Sequence, residues 1–179
     1  MIKLKRNTML KRIFIPVLFV LICVATAYAA VTLTVSNEFK YQMGLGAVNC
    51  SSDTFKVILM ADGFTFNKDT HGTYSDVSAS EITNAGGYTV GGYTLTVDSA
   101  WAQDNTGDES GLTFVDKTFT ASGAAFDTFC AAIIYDDTHA NYDFGTSVDV
   151  ILGCIDFGQN IDVADGNSFQ LQDMGYDKE

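Results

Sequence analysis

Phe55-Lys56-Val57-Ile58-Leu59-Met60 carries one charge in six residues and is otherwise apolar. A run of that length and character suits a strand buried on both faces. Two further runs are strand-like: Phe129-Cys130-Ala131-Ala132-Ile133-Ile134-Tyr135 and Val148-Asp149-Val150-Ile151-Leu152-Gly153-Cys154-Ile155. Around them the pattern alternates. In Tyr93-Thr94-Leu95-Thr96-Val97-Asp98 the large residues point one way and Thr and Asp the other, and Leu112-Thr113-Phe114-Val115 and Ser168-Phe169-Gln170-Leu171-Gln172 behave similarly. Turn-rich stretches separate these runs, among them Asn84-Ala85-Gly86-Gly87, Asp104-Asn105-Thr106-Gly107-Asp108, Ala121-Ser122-Gly123 and Asp165-Gly166-Asn167.

Helical signals are few. Ser36-Asn37-Glu38-Phe39-Lys40-Tyr41-Gln42-Met43 reads as a short capped helix ending at Gly44, and Ser78 to Ile82 as at most one turn. About seven or eight short strands at this spacing predict an all-β fold, an antiparallel sandwich or jelly-roll-like barrel. The single domain is expected over residues 30–179. Beyond Pro16 the chain has no proline, so its turns must rely on Gly, Asn and Asp. The tandem Gly86-Gly87-Tyr88-Thr89-Val90 and Gly91-Gly92-Tyr93-Thr94-Leu95 lacks the helix start or Gly-Lys-Ser/Thr of a phosphate loop, and reads as structural glycine at a bend or bulge.

Charge is distributed unevenly over the 179 residues. Lys3, Lys5, Arg6, Lys11 and Arg12 precede an apolar run, Ile13 to Val24, and no acidic residue occurs before Glu38. The rest carries five Lys, no Arg and all 22 carboxylates, hence a formal charge of −17. Nucleic-acid binding is thereby excluded as a main activity, since phosphate neutralisation needs clustered Lys and Arg. Contact with membrane is expected only through the N-terminal segment, if that segment is uncleaved. With 47% hydrophobic and 12% aromatic residues the chain is too apolar for disorder.

The basic start, the apolar core and Ala25-Thr26-Ala27-Tyr28-Ala29-Ala30 have the order of a secretory signal peptide over residues 1–29, cleaved between Ala29 and Ala30. The alternative is an uncleaved anchor, against which the apolar stretch is short of the ~20 residues a bilayer requires. Met9-Leu10-Lys11-Arg12 would begin an equally good signal. Cleavage removes Cys23 and leaves Cys50, Cys130 and Cys154. If the two apolar runs form a hairpin centred on residue 142, Cys130 and Cys154 face each other and an oxidising compartment would link them, with Cys50 left over. Two buried free thiols are the alternative.

Candidate chemistry is sparse. His71 and His139 each lie in polar stretches near Asp, where solvated loop histidines are common. Gly107-Asp108-Glu109-Ser110-Gly111 places its serine one position too late for a nucleophile elbow. No catalytic residue is assigned, and no cofactor beyond calcium is suggested. For calcium the candidates are Asp104 and Asp108 in one turn and Asp162 and Asp165 in another, neither an EF-hand, with surface solvation as the alternative.

Thr54-Phe55-Lys56-Val57-Ile58-Leu59-Met60, Asn67-Lys68-Asp69-Thr70-His71, Ser75-Asp76-Val77-Ser78-Ala79-Ser80-Glu81, Gly87-Tyr88-Thr89-Val90-Gly91-Gly92-Tyr93-Thr94-Leu95, Ile133-Ile134-Tyr135-Asp136-Asp137-Thr138 and Leu152-Gly153-Cys154-Ile155-Asp156-Phe157-Gly158 follow one another in order. Read together, they resemble a family of small bacteriophage and prophage structural proteins ascribed to the virion, over roughly residues 32 to 172. The resemblance implies a non-enzymatic, oligomeric, β-rich particle component and supplies no catalytic residues. Two features depart from it: relatives of this kind start near Val31-Thr32-Leu33-Thr34-Val35 without a signal, and larger residues are expected at Cys130 and Cys154. Both departures suit a virion-type sandwich recruited for export; the alternative is that the signal is an artefact of a misplaced gene start.

Two functions are therefore expected. One is a particle component that self-associates or contacts other structural proteins. The other is an exported surface protein or adhesin that binds a surface ligand through its loops, with Tyr74, Tyr88, Tyr93, Trp101 and Tyr142 available for stacking. Trp101, the only Trp, reads more readily as a core residue than as a sugar platform.

Overall fold

The computed structural model describes residues 33–104, 109–138 and 149–178. The fold is an all-β antiparallel sandwich with two short helices. In chain order the elements are β1 (Leu33–Val35), α1 (Asn37–Gly44), β2 (Phe55–Ala61), α2 (Tyr74–Val77) running into a 3-10 turn (Ser78–Ser80), β3 (Tyr93–Thr94), β4 (Val97–Asp104), β5 (Glu109–Phe114), β6 (Lys117–Thr120), β7 (Phe129–Asp136), β8 (Ile151–Ile161), β9 (Ser168–Leu171) and β10 (Gly175–Lys178). No helix among the described residues is long and apolar enough to cross a membrane.

The main sheet has the order β1-β8-β7-β2-β3, and its three central strands are the apolar runs. Their side chains divide between two cores, because successive residues of a strand point to opposite faces. Phe55, Val57 and Leu59 of β2, Ala132 and Ile134 of β7, and Leu152 and Ile155 of β8 face the larger core. There they meet Leu112 and Phe114 of β5, Phe119 of β6 and Leu171 of β9, so the sheets β10-β5-β4 and β6-β9 form the opposing layer. Phe55 and Phe114 pack edge to face at 5.4 Å across it. Ile58, Met60, Ala131, Ile133, Tyr135, Ile151 and Cys154 face the other way, into a smaller core covered by loops. Each large side chain fully buried in these layers stabilises the fold by roughly 1.5–3 kcal/mol relative to exposure.

Helix α1 is fastened by its cap. Ser36 is completely buried; its Oγ accepts the Phe39 N–H at 3.0 Å and donates to the Ile151 carbonyl at 2.6 Å. The Ser36 N–H in turn reaches the Leu152 carbonyl at 3.0 Å. One residue thus satisfies a helix end and ties it to β8, while Phe39 enters the larger core. Beside it β1 crosses β8 so closely that a Cβ on Gly153 would lie 2.6 Å from the Thr34 carbonyl oxygen.

The β7–β8 pairing corrects the expected disulfide. Cys154 lies opposite Ile133 rather than Cys130, and Ala131 lies opposite Asp156, a displacement of three residues from the expected register. At the turn end of the pair Tyr135 already lies opposite Ile151, and the register shifts again between Ile134 and Tyr135 and between Phe129 and Ala131. Burying Ile133 and Tyr135 together with Ile151 and Cys154 in the smaller core sets this alignment. Cys50, Cys130 and Cys154 are all free thiols.

Candidate functional site: a loop cover, a buried carboxylate and the face of α1

Between β2 and β3 the chain crosses the second face of the main sheet. Residues 62–80 of this cover are mostly exposed; Phe64, Phe66 and Tyr74 are half-buried against the smaller core, and Val77 is buried. Backbone bonds dock it to the start of β8, Tyr74 N–H to the Asp149 carbonyl at 2.9 Å and Ile151 N–H to the Gly72 carbonyl at 2.8 Å. Its helix α2 is started by Asp76, whose carboxylate accepts from the Thr73 N–H at 2.8 Å, the Thr73 hydroxyl at 2.9 Å and the Gly72 N–H at 3.1 Å. Burial alone would raise the Asp76 carboxyl; these donors and the nearby His71 outweigh it and hold the group below the usual carboxylate range.

At the end of the cover Glu81 is buried, in an isolated bridge with Met60. Its Oε1 accepts the Tyr88 hydroxyl at 2.6 Å and the Gly91 N–H at 2.9 Å, and its Oε2 accepts the Tyr74 hydroxyl at 2.7 Å. The Tyr88 hydroxyl also accepts the Leu59 N–H at 3.0 Å. Tyr135, stacked on Tyr74 with ring centres 5.0 Å apart, donates its hydroxyl to the Gly91 carbonyl at 2.7 Å. Burial, then Glu81, raises both Tyr74 and Tyr88 above the ordinary phenol range, so neutral hydroxyls surround the carboxylate. The tandem glycines bend the chain around this centre: Gly86, Gly87, Gly91 and Gly92 all have positive φ, and a Cβ on Gly92 would overlap the Val57 carbonyl.

Sequence reasoning placed stacking surfaces elsewhere. Tyr88 is only 3% exposed and belongs to the larger core, which removes it as a ligand platform. Tyr93 is half-buried, with its ring edge-on to Tyr88 and Phe119 and the Lys117 ammonium 5.0 Å from its centre. Trp101 lies in β4, but its side chain falls outside the described residues, as do His139 and Tyr142. His71 serves its own turn: Nδ1 accepts the Asn67 N–H at 3.2 Å and the ring stacks on Phe64 at 5.7 Å.

Of the calcium candidates, one pair can be placed. Asp108 and the side chain of Asp104 lie outside the described residues, as do residues 1–29 and Ala30 at the expected cleavage site. Asp162 accepts from the Thr128 hydroxyl and Asp165 from the Gly123 N–H, so both carboxylates fasten neighbouring loops. Among the described residues no three His, Cys, Asp or Glu side chains are grouped to hold a metal.

A surface that the sequence did not reveal lies on α1. Tyr41 and Leu45, one helical turn apart, are 62% and 47% exposed. Next to Tyr41 opens a polar cleft of about 400 Å³ lined by Asn37, Glu38, Lys68, Asp69, Thr73 and Asp76. Asn37 anchors its floor, donating its N–H to the Lys68 carbonyl and its amide to the Asp69 carboxylate. Comparison with protein-family models, curated proteins and solved structures finds no match for the chain.

Proposed function

We propose that this domain is a non-enzymatic structural or assembly protein of a phage-like particle, acting by contact between copies of its sandwich. The observation that carries the reading is the exposed Tyr41–Leu45 pair beside a polar cleft. An apolar centre with a polar rim is the usual anatomy of a protein interface, and tyrosine is a favoured anchor there. The sequence resemblance to virion proteins points the same way. A charge near −17 makes copies repel at low ionic strength, so added salt should promote the contact. Light scattering of residues 30–179 across salt tests this: association should grow with salt and be lost in Tyr41→Ser/Leu45→Ser. A strict monomer under every condition removes the assembly reading.

The second reading is an exported surface protein or adhesin-like module. The same cleft favours it, since an exposed aromatic ring beside amide, carboxylate and ammonium groups is suited to a sugar. Location separates the two. Loss of residues 1–29, read by intact mass, goes with export; a chain started downstream of them goes with a virion.

A further inference from the structure

We propose that residues 62–80 form a cover that opens as a unit from the second face of the main sheet, and that the Glu81 carboxylate is the latch that holds it shut. The smaller core beneath it is uneven in strength. Its sheet side is a continuous apolar surface made by Ile58, Met60, Ile133 and Ile151, all fully buried. Its loop side contributes one fully buried side chain, Val77, with Phe64, Phe66 and Tyr74 only half-buried. Segments with little buried apolar area and an exposed backbone are the ones that open locally.

Polar ties must therefore do much of the holding, and the strongest converge on Glu81. Through Tyr74 the carboxylate grips the cover, through Tyr88 the larger core, and through the Gly91 N–H the glycine loop. Three segments thus meet on one side chain, so its loss releases all of them at once. Neither ion pair among the described residues, Lys56–Asp137 or Lys68–Asp69, involves Glu81, so neutral donors supply its solvation. Cutting the latch frees α2 while the larger core, on the other side of the sheet, keeps its packing.

The protein carries its own reporter of this motion. Cys154, 2% exposed, lies in the smaller core under the cover, whereas Cys50, 6% exposed, lies in the larger one. The test is native-state labelling of the full chain with N-ethylmaleimide at neutral pH, with each cysteine-bearing peptide followed by mass spectrometry. In Glu81→Gln the rate at Cys154 relative to Cys50 should rise at least tenfold over the parent chain. Tyr74→Phe, which removes one hydroxyl and keeps the ring, should raise it about threefold or more; it decides the matter if Glu81→Gln does not fold. An unchanged ratio, whether both rates stay put or both climb together, overturns the proposal. Loss of association in the Tyr41→Ser/Leu45→Ser variant bears only on the function, so the two ideas fail separately.

Discussion

Tyr88 donates its hydroxyl to Glu81 at 2.6 Å while the same oxygen accepts the Leu59 N–H at 3.0 Å, which joins the loop cover to the backbone of a central strand. Tyr88→Phe removes both bonds and leaves a buried N–H and a buried carboxylate short of a partner. The expected loss is about 2–4 kcal/mol in denaturant unfolding. Tyr74→Phe, at a half-buried hydroxyl with one bond, should lose about 1 kcal/mol.

Ser36→Ala is expected to cost about 1–2 kcal/mol or somewhat more, because the Phe39 N–H loses its cap and the Ile151 carbonyl loses a buried donor. Thermal unfolding measures the loss. Ala at the neighbouring exposed Asn37 should cost less than half as much.

Gly153→Ala drives a methyl group to 2.6 Å from the Thr34 carbonyl, so β1 must move. The expected cost is about 1–3 kcal/mol. Hydrogen exchange should accelerate at Leu33–Val35 before it does in β2 or β7, which are held on the far side of β8.

Alkaline pH should unfold the protein in a defined window. Burial first, then the charges of Asp136 and Asp53, pushes the Cys50 thiol from 9.0 up to about 11, and burial followed by Asp156 pushes Cys154 up to about 12. Both shifts are upward, so the unfolded chain releases these protons before the folded one does. Stability is then fully present below about pH 9 and falls as pH rises toward 11 and 12. Tyr74, Tyr88 and Tyr135, also raised chiefly by burial, steepen the fall beyond their ordinary value of 10. Melting temperature against pH checks this, and Cys154→Ala should shallow the slope above about pH 9.

Acid acts through the opposite sign. Asp76 is held below its ordinary 3.8, so its contribution is present above that pH and disappears as pH falls through the lower folded value. Asp76→Asn should destabilise at neutral pH and converge with the parent chain in strong acid. Equal destabilisation at both pH values would mean that the carboxylate charge is not what the Thr73 and Gly72 donors require.

Much of the main sheet was legible because burial on both faces leaves unbroken apolar runs at β2, β7 and β8. Helix α1 was legible from Ser36 and Gly44, since its cap is local chemistry. The short strands β1, β6 and β10 were not singled out: Lys117-Thr118-Phe119-Thr120 and Gly175-Tyr176-Asp177-Lys178 become strands by pairing with Leu171 to Ser168 and with Thr113 to Ser110. The far half of β8 was hidden by Asp156, Gly158, Gln159 and Asn160, polar residues at an irregular stretch where Gly158 has φ +65. Cys130 and Cys154 were misaligned because the pairing is not symmetric about residue 142: Tyr135 already lies opposite Ile151, and a register shift follows. Tyr88 looked like a surface ring because nothing in its neighbourhood announces a partner seven residues away; Glu81 and Tyr88 meet only when the glycine loop closes. Tyr41 gave no signal either, since nothing local distinguishes it from Phe39, two residues earlier on the same helix, which enters the core.

The pairing of β1 with β8 governs the order in which this chain can finish. The serine that caps α1 leaves the ribosome 115 residues ahead of the isoleucine whose carbonyl it needs. Until β8 is synthesised the edge of the sheet has no seat for β1, and the earliest residues of the domain wait unpaired. Long-range closure of that kind slows folding. A chain still unfinished when its tail emerges can be threaded through a translocation pore, or handed to an assembling shell, before its native form blocks the way.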